Sequence, residues 1–199
     1  MKKGFTLIEL LVVIAILAIL ATVIVVIINP GELLKQARDT TRISDLAAVN
    51  NAIALYLSDY NNPGIGGASN AACASGANAT LVRCTYTGAA TPFGGAVPCT
   101  TNATTTVDGN GWVPITFTSI SSGSPLARLP LDPSQSATLF YSYACGGGTN
   151  ALNYEMDAAM ESVKYKAGGS ADVVSNAKDG GNNANFYEIG NYKPRFPGF

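Results

Sequence analysis

The sequence predicts an α+β fold, in which one long N-terminal helix packs on a small antiparallel sheet. Residues 5–28 are almost entirely apolar, residues 32–60 carry apolar positions at helical spacing, and strand-like segments follow only from residue 80 onwards. A helical segment followed by a run of strands is typical of the α+β class. The chain has 199 residues, which suits one ordinary domain with an appendage.

The composition excludes several classes of function. The chain contains no histidine, which excludes Ser-His-Asp triads, Cys-His pairs and most zinc catalysis. Its formal net charge is −1 and it has no basic run of the kind that binds nucleic acid, so no nucleic-acid partner is expected. No pair of acids stands out in an apolar context where a raised pKa could be argued. We therefore predict that the chain is not an enzyme.

The apolar segment 5–28 is predicted to be a membrane-spanning helix, in which only Thr6, Glu9 and Thr22 are polar. At about 1.5 Å per residue it measures about 36 Å, enough to cross a hydrocarbon core of about 30 Å. The apolar run is too long for an ordinary secretory signal. The two lysines before it should keep the N-terminus cytoplasmic and leave the bulk of the chain outside. A plain single-pass anchor would account for all of this.

Glu9 is the residue that a plain anchor leaves unexplained, because a carboxylate in lipid costs about 2–3 kcal/mol or more. The string KKG-FTLIELLVVIAILAIL, which contains it, resembles the prepilin leader and helix start of type IV pilins and type II secretion pseudopilins. The resemblance covers roughly the first 60 residues well and the rest loosely.

The resemblance implies processing and assembly. A membrane aspartyl prepilin peptidase would cut between Gly4 and Phe5 and methylate the new amine of Phe5, so that residues 1–4 are a leader peptide. The family's glutamate falls at Glu9, which could pair with the Phe5 amine of a neighbouring subunit, since each charge is costly alone. The implied partners are the peptidase, an inner-membrane assembly platform and further copies of the chain in a helical filament. The precursor would lie in the inner membrane, and the product in an extracellular filament or a periplasmic pseudopilus.

Residues 29–60 are predicted to form the amphipathic half of the helix and to pack on the distal domain. The apolar stripe that predicts this has spacings of three and four: Leu46, Val49, Ile53, Tyr56 and Tyr60. The charged residues of the same segment are expected to lie on a solvated or intersubunit face: Arg38, Asp39, Arg42 and Asp45.

Pro30 and Gly31 interrupt the helical pattern at the junction of the two halves. Proline lacks the backbone donor that a helix interior needs, so a kink or a locally unwound stretch is expected there. The position resembles a proline of pilin filaments near a segment that melts on assembly. A static kink is an equal alternative.

Four cysteines lie beyond the apolar segment, and no two of them form a CxxC pair: Cys73, Cys84, Cys99 and Cys145. Two disulfides are expected if this region is exported, whereas four buried thiols are the alternative. Three pairings are possible. Cys73–Cys84 with Cys99–Cys145 is favoured, because the first bond closes a short local loop.

The distal part divides into a variable connecting region, residues 61–110, and residues 111–199, which hold the sheet and a C-terminal loop. Alternation in LFYSYAC places Tyr141 and Tyr143 on one face of a strand and Ser142 on the other. Four strands are predicted: Thr80–Tyr86, Gly111–Thr118, Thr138–Cys145 and Asn150–Met156.

The C-terminal stretch SNAKDGGNNANFYEIGNY is similar to the calcium loop of the major pseudopilin. The similarity implies Asp179 and Glu188 as carboxylate ligands, and calcium prefers such oxygen donors. A plain Gly/Asn loop without a metal is the alternative.

Three functions are compatible with these features. The first is a structural subunit of a type IV pilus serving adhesion, motility or DNA uptake, which four cysteines and a long connecting region favour. The second is a pseudopilin of a type II secretion system, which the calcium-like C-terminus favours. The third is a membrane-anchored receptor or enzyme, for which the sequence shows no convincing site.

Overall fold

The computed structural model describes residues 4–61, 63–67, 81–88, 99–146 and 152–192. The helices are α1 (Leu7–Ile28), α2 (Pro30–Asp59) and α3 (Asn176–Asp179). The strands are β1 (Leu81–Cys84), β2 (Thr100–Thr101), β3 (Tyr141–Cys145), β4 (Tyr154–Ala159) and β5 (Phe186–Gly190), and they form one sheet in the order β2-β1-β3-β4-β5. The predicted α+β fold is confirmed. The sheet is mixed and not wholly antiparallel, because β1 and β2 run parallel.

The helix breaks at Asn29, which separates α1 from α2. Asn29 adopts a left-handed conformation with φ of 46°, and its side chain accepts a hydrogen bond from the backbone N–H of Glu32. Pro30 is the first residue of α2, where the missing backbone donor costs nothing. The predicted interruption is therefore present, and Asn29 makes the turn while Pro30 starts the next helix.

The apolar stripe of α2 packs on the sheet as predicted. Four of its five members are buried in the main core, whereas Tyr60 is 43% exposed and stacks on the ring of Tyr56. The sheet presents Tyr141, Tyr143 and Met156 to the same core. Side chains alternate between the two faces of a strand, so the intervening residues of β3 and β4 point to the opposite face. We call that opposite face, which carries Ser142, the outer face of the sheet.

The structure confirms two of the predicted strands, shifts a third and adds two that were not predicted. β1 and β3 lie within the predicted segments, and β4 begins four residues later than predicted and runs on to Ala159. Thr80, Asn150 and Ala151 lie outside the described residues. β5 was missed, because its region was predicted to be a loop, and β2 lies in the predicted connecting region.

The predicted strand Gly111–Thr118 is wrong. The segment is irregular, with a single bridge between Asp108 and Thr116 and a short 3-10 helix at Phe117–Ser119. Pro114 cannot donate to a sheet ladder. A half-buried strand would bury only every second residue. Here apolar residues are buried at both odd and even positions: Trp112, Val113, Ile115 and Phe117.

The favoured disulfide pairing is also wrong. Cys84 pairs with Cys99, with their Cα atoms 5.8 Å apart, so neither Cys73–Cys84 nor Cys99–Cys145 forms. Cys145 is disulfide-bonded as well. Cys73 lies outside the described residues. The bond joins two adjacent strand ends, because Cys84 closes β1 and Cys99 precedes β2. The prediction favoured the cysteines closest in sequence and did not consider that β1 and β2 pair in the sheet.

The charged face of α2 was predicted to be solvated or intersubunit, and this is wrong for its central residues. Arg42 and Asp39 are fully buried. Arg42 donates two hydrogen bonds to Asp132, at 2.6 and 2.9 Å, and one to Asp39 at 2.8 Å. Its guanidinium also lies 2.7 Å from Glu161. These contacts fasten α2 to the turn around Asp132 and to the residues after β4.

Stability is expected to fall in acid because of Glu161. Arg38, and then Arg42, donate hydrogen bonds to its carboxylate and lower its pKa from 4.5 to about 2. A carboxylate with a lowered folded pKa stabilises the protein above the unfolded value, and this contribution is lost as the pH falls from about 4.5 to about 2. Urea midpoints at about pH 5.5 and about pH 2.5 measure the loss. Glu161→Gln should show a smaller difference, and an identical difference in both proteins would contradict the assignment.

Candidate functional site

The N-terminal helix α1 presents apolar side chains on every side. Its large apolar residues are between roughly half and four-fifths exposed, and none of the described distal elements covers them. Leu7–Val25 is long and apolar enough to cross a membrane. Such a surface needs an apolar environment, either lipid or other copies of α1. It is therefore consistent with a membrane-anchored precursor.

The predicted processing site lies directly before this helix. Gly4 and Phe5 precede α1 in irregular backbone, and Thr6 is extended, with φ of −85° and ψ of 150°. Phe5 is 81% exposed, and nothing lies within 4 Å of where a side chain at Gly4 would begin. The bond between Gly4 and Phe5 is thus accessible and outside the helical hydrogen-bond ladder, as a protease requires.

Glu9 closes the first turn of α1 through a capping box with Thr6. The backbone N–H and the hydroxyl of Thr6 donate to the same carboxylate oxygen of Glu9, Oε2, at 2.9 and 2.8 Å. The backbone N–H of Glu9 donates back to the Thr6 hydroxyl at 3.3 Å. The box satisfies N–H groups that a helix start leaves open. It also holds the carboxylate at the helix end nearest Phe5.

A second group of acids lies on the outer face of the sheet. Asp157 in β4 is directly opposite Ser142 in β3 on one side and Glu188 in β5 on the other. Glu155 lies two residues from Asp157 and therefore on the same face. The three carboxylates are buried and offer oxygen atoms that all lie within 4.8 Å of one another.

Burial makes these carboxylates unusual acids. It is the largest cause that raises the pKa of Glu155, Asp157 and Glu188, and their mutual repulsion adds to it for Glu155 and Asp157. The prediction that no acid pair lies in an apolar context is therefore wrong. The pattern Glu-x-Asp in the apolar strand YEMDAA is the signal that was overlooked, because a period of two places both acids on one face.

The two predicted calcium ligands, Asp179 and Glu188, lie close together, but their carboxylates make different contacts. Asp179 ends α3, and its carboxylate accepts hydrogen bonds from the backbone N–H groups of Gly181 and Glu188, at 2.9 and 3.1 Å. Glu188 points into the acid group and accepts from the N–H of Asn183 at 2.9 Å. A side chain at Gly181 would collide with the Glu188 carboxylate, so glycine is needed for this approach. The calcium expectation itself stays a prediction.

Comparison with known proteins bears on the N-terminal segment. Residues 1–25 match the family model of the prokaryotic N-terminal methylation motif. No curated protein and no solved structure is significantly similar to the chain. The matched residues include Gly4, Phe5 and Glu9, whose geometry is that of an accessible bond followed by a capped apolar helix. The chain therefore carries the prepilin leader that type IV pilins and pseudopilins share.

Proposed function

We propose that the chain is a structural subunit of a type IV pilus, assembled through α1 into a helical surface filament. The observation that carries the proposal is an all-round apolar helix whose only acid, Glu9, lies at the end that cleavage would expose. In the precursor α1 lies in lipid, and in the filament it packs against other copies of α1. The matched motif favours a structural role of this kind over an enzymatic one.

Processing and transfer follow from the leader. A prepilin peptidase cuts after Gly4 and methylates Phe5, which creates a cation directly before Thr6. An inner-membrane assembly platform then lifts the subunit from the membrane into the growing filament. The distal domain remains on the outside of the filament, where it can serve adhesion, motility or DNA uptake.

Two features favour a pilus over a secretion pseudopilus. The disulfide between Cys84 and Cys99 cross-links the connecting region and stabilises it. This region would be exposed on a surface filament. The connecting region, residues 61–110, is also long, and its described strands are short, with four residues in β1 and two in β2. The acids of the C-terminal region favour the second candidate, a pseudopilin, because of the calcium-loop similarity at Asp179 and Glu188.

The proposal is tested on the protein isolated from its native cells. The mature chain is expected to begin at Phe5 and to carry one N-terminal methyl group, which intact mass spectrometry measures. Electron microscopy of filaments sheared from the cell surface should show the chain by immunolabelling. A Gly4→Val variant, whose scissile bond is obstructed, should keep residues 1–4 and stay in the membrane fraction. Label confined to the periplasm would favour the pseudopilus, and unprocessed chain within filaments would contradict both candidates.

A further inference from the structure

We propose that Glu155, Asp157 and Glu188 bind a divalent cation on the outer face of the sheet. The Ser142 hydroxyl supplies a fourth protein oxygen. This centre is not the loop site that the sequence implied, because it lies on three strands and takes only Glu188 from that prediction. It also goes beyond the filament role, and it holds whichever filament the chain enters.

The first argument is the set of unpaired buried atoms. Ser142 Oγ, Glu155 Oε2 and Asp157 Oδ1 are all buried, and none finds a hydrogen-bond partner among the described residues. Ser142 is fully buried, and Glu155 and Asp157 are 1% and 2% exposed. A buried polar atom without a partner costs about 1–3 kcal/mol, and more when it is charged. Three such atoms on one sheet face call for a common partner that the described residues do not supply.

The second argument is the balance of charge. Among the described residues, the charges that raise the pKa values of the three carboxylates come from one another and from Asp179, and these are negative. Buried acids can be neutralised by protons or by a cation. Hydrogen bonds join the Glu155 carboxyl to Asp157 and to Glu188, so shared protons can neutralise part of this charge, but they leave the Ser142 hydroxyl on the same face without a partner in the described part of the chain. One divalent cation would satisfy all of these atoms at once.

The third argument is the way the fold holds the ligands. Asp157 lies between Ser142 and Glu188 in the register of β3, β4 and β5, so regular strand pairing fixes three donors in a row. Asp179 acts as a positioning residue, since its carboxylate holds the backbone of Glu188. The Asn183 N–H holds the Glu188 side chain from the other direction. These contacts orient the carboxylate before any ion arrives.

The donor set indicates which cation fits. All four donors are oxygen, which favours hard cations over zinc or copper. Magnesium usually keeps several of its waters, whereas calcium accepts several carboxylates in irregular geometry. Calcium is therefore the expected occupant, and it would join the last strand of the sheet to β4 and β3.

The experiment uses the full chain in detergent, first stripped of metal with a chelator. Calcium at about 1–10 mM, the range of weak extracellular sites, should raise the unfolding temperature by about 2–5 °C with one ion bound per chain. Magnesium should give a smaller rise. Hydrogen exchange of the β5 amides should slow on calcium addition, because the ion joins that strand to its neighbours.

Three variants and a control test whether the side chains on this sheet face hold the ion. Glu155→Gln and Asp157→Asn should abolish the calcium shift, and Ser142→Ala should weaken calcium binding about tenfold or less. The control, Asp108→Asn, makes the same chemical change at an exposed loop acid and should keep the whole shift.

Two results would overturn the proposal. One is the absence of any thermal shift or bound ion with calcium, magnesium or manganese, which would leave protonation as the means of neutralisation. The other is calcium binding that persists in Asp157→Asn, which would place the ion in the loop of Asp179 and Glu188. Neither result would affect the filament proposal, since cleavage and filament formation are measured separately.

Discussion

Replacing Arg42 with methionine is expected to lower the free energy of unfolding by about 3–5 kcal/mol, because it leaves two acids buried without their cation. Arg42, Asp39 and Asp132 are all buried, and the guanidinium donates to both carboxylates. Methionine fills similar volume, so the loss reports the missing charge more than a cavity. Backbone N–H groups that bond to Asp39 and Asp132 would compensate only in part.

Urea denaturation of the full chain in detergent measures this loss, with Trp112 as the fluorescent reporter. Trp112 is the only tryptophan and is fully buried beside Tyr141. Arg38→Met is the matched control, because Arg38 pairs with Glu161 from a partly exposed position and should cost about 1 kcal/mol or less. Equal losses in the two variants would show that the buried pairs contribute no more than a surface pair.

The buried side of α2 shows what a helical pattern can and cannot predict. The apolar stripe requires a partner to cover it, so its burial under the sheet followed from periodicity alone. The buried side continues towards the N-terminus through Arg42 and Asp39, which lie four and seven residues before Leu46 and therefore on the same side of the helix. Arg42 is buried there by the turn that contains Asp132, a contact across 90 residues that no local pattern encodes. The prediction from charge alone, that Arg42 lies on a solvated or intersubunit face, is therefore wrong.

The sheet shows the same limit. The alternation in β3 correctly placed Tyr141 and Tyr143 on one face and Ser142 on the other, and the structure shows that the tyrosine face enters the core. β5 is only five residues long and lies among glycines and asparagines, so its local composition favoured a loop. It becomes a strand by pairing with β4. The acids Glu155, Asp157 and Glu188 meet only through that pairing, and so the acid group could not be assembled from the sequence.

The N-terminal site is the opposite case, because its chemistry is local. Thr6 and Glu9 are three residues apart, which is the spacing of a capping box, and Gly4 lies directly before them. The positions of the proposed cleavage, the cap and the carboxylate therefore follow from sequence order once the helix is recognised. What sequence order leaves open is the partner of Glu9 in the proposed filament.

Glu9→Leu is expected to lower incorporation into filaments by about 100-fold or more while leaving cleavage intact. Both hydrogen bonds from Thr6 use Oε2, which leaves Oε1 without a donor among the described residues. That oxygen can accept from the Phe5 amine of a neighbouring subunit in the apolar filament core. Leucine removes the acid and leaves the amine buried without a counter-charge. Removing one partner of a buried ion pair costs about 3–5 kcal/mol. Each 1.4 kcal/mol is about a factor of ten.

The measurement is the amount of chain in sheared filaments relative to the membrane fraction, with cleavage followed by mass. Thr22→Leu is the matched control, because it also replaces a polar residue of α1 by leucine, and the Thr22 hydroxyl bonds only locally, to the carbonyl of Ile19. It should assemble normally, since no charge loses a partner. If Glu9→Leu subunits entered filaments at the normal rate and order, hydrophobic packing of α1 alone would set the stagger between subunits. A defect confined to Glu9→Leu would instead indicate that the charge pair selects the correct stagger between subunits. Every incorrect stagger would bury an amine without its counter-charge.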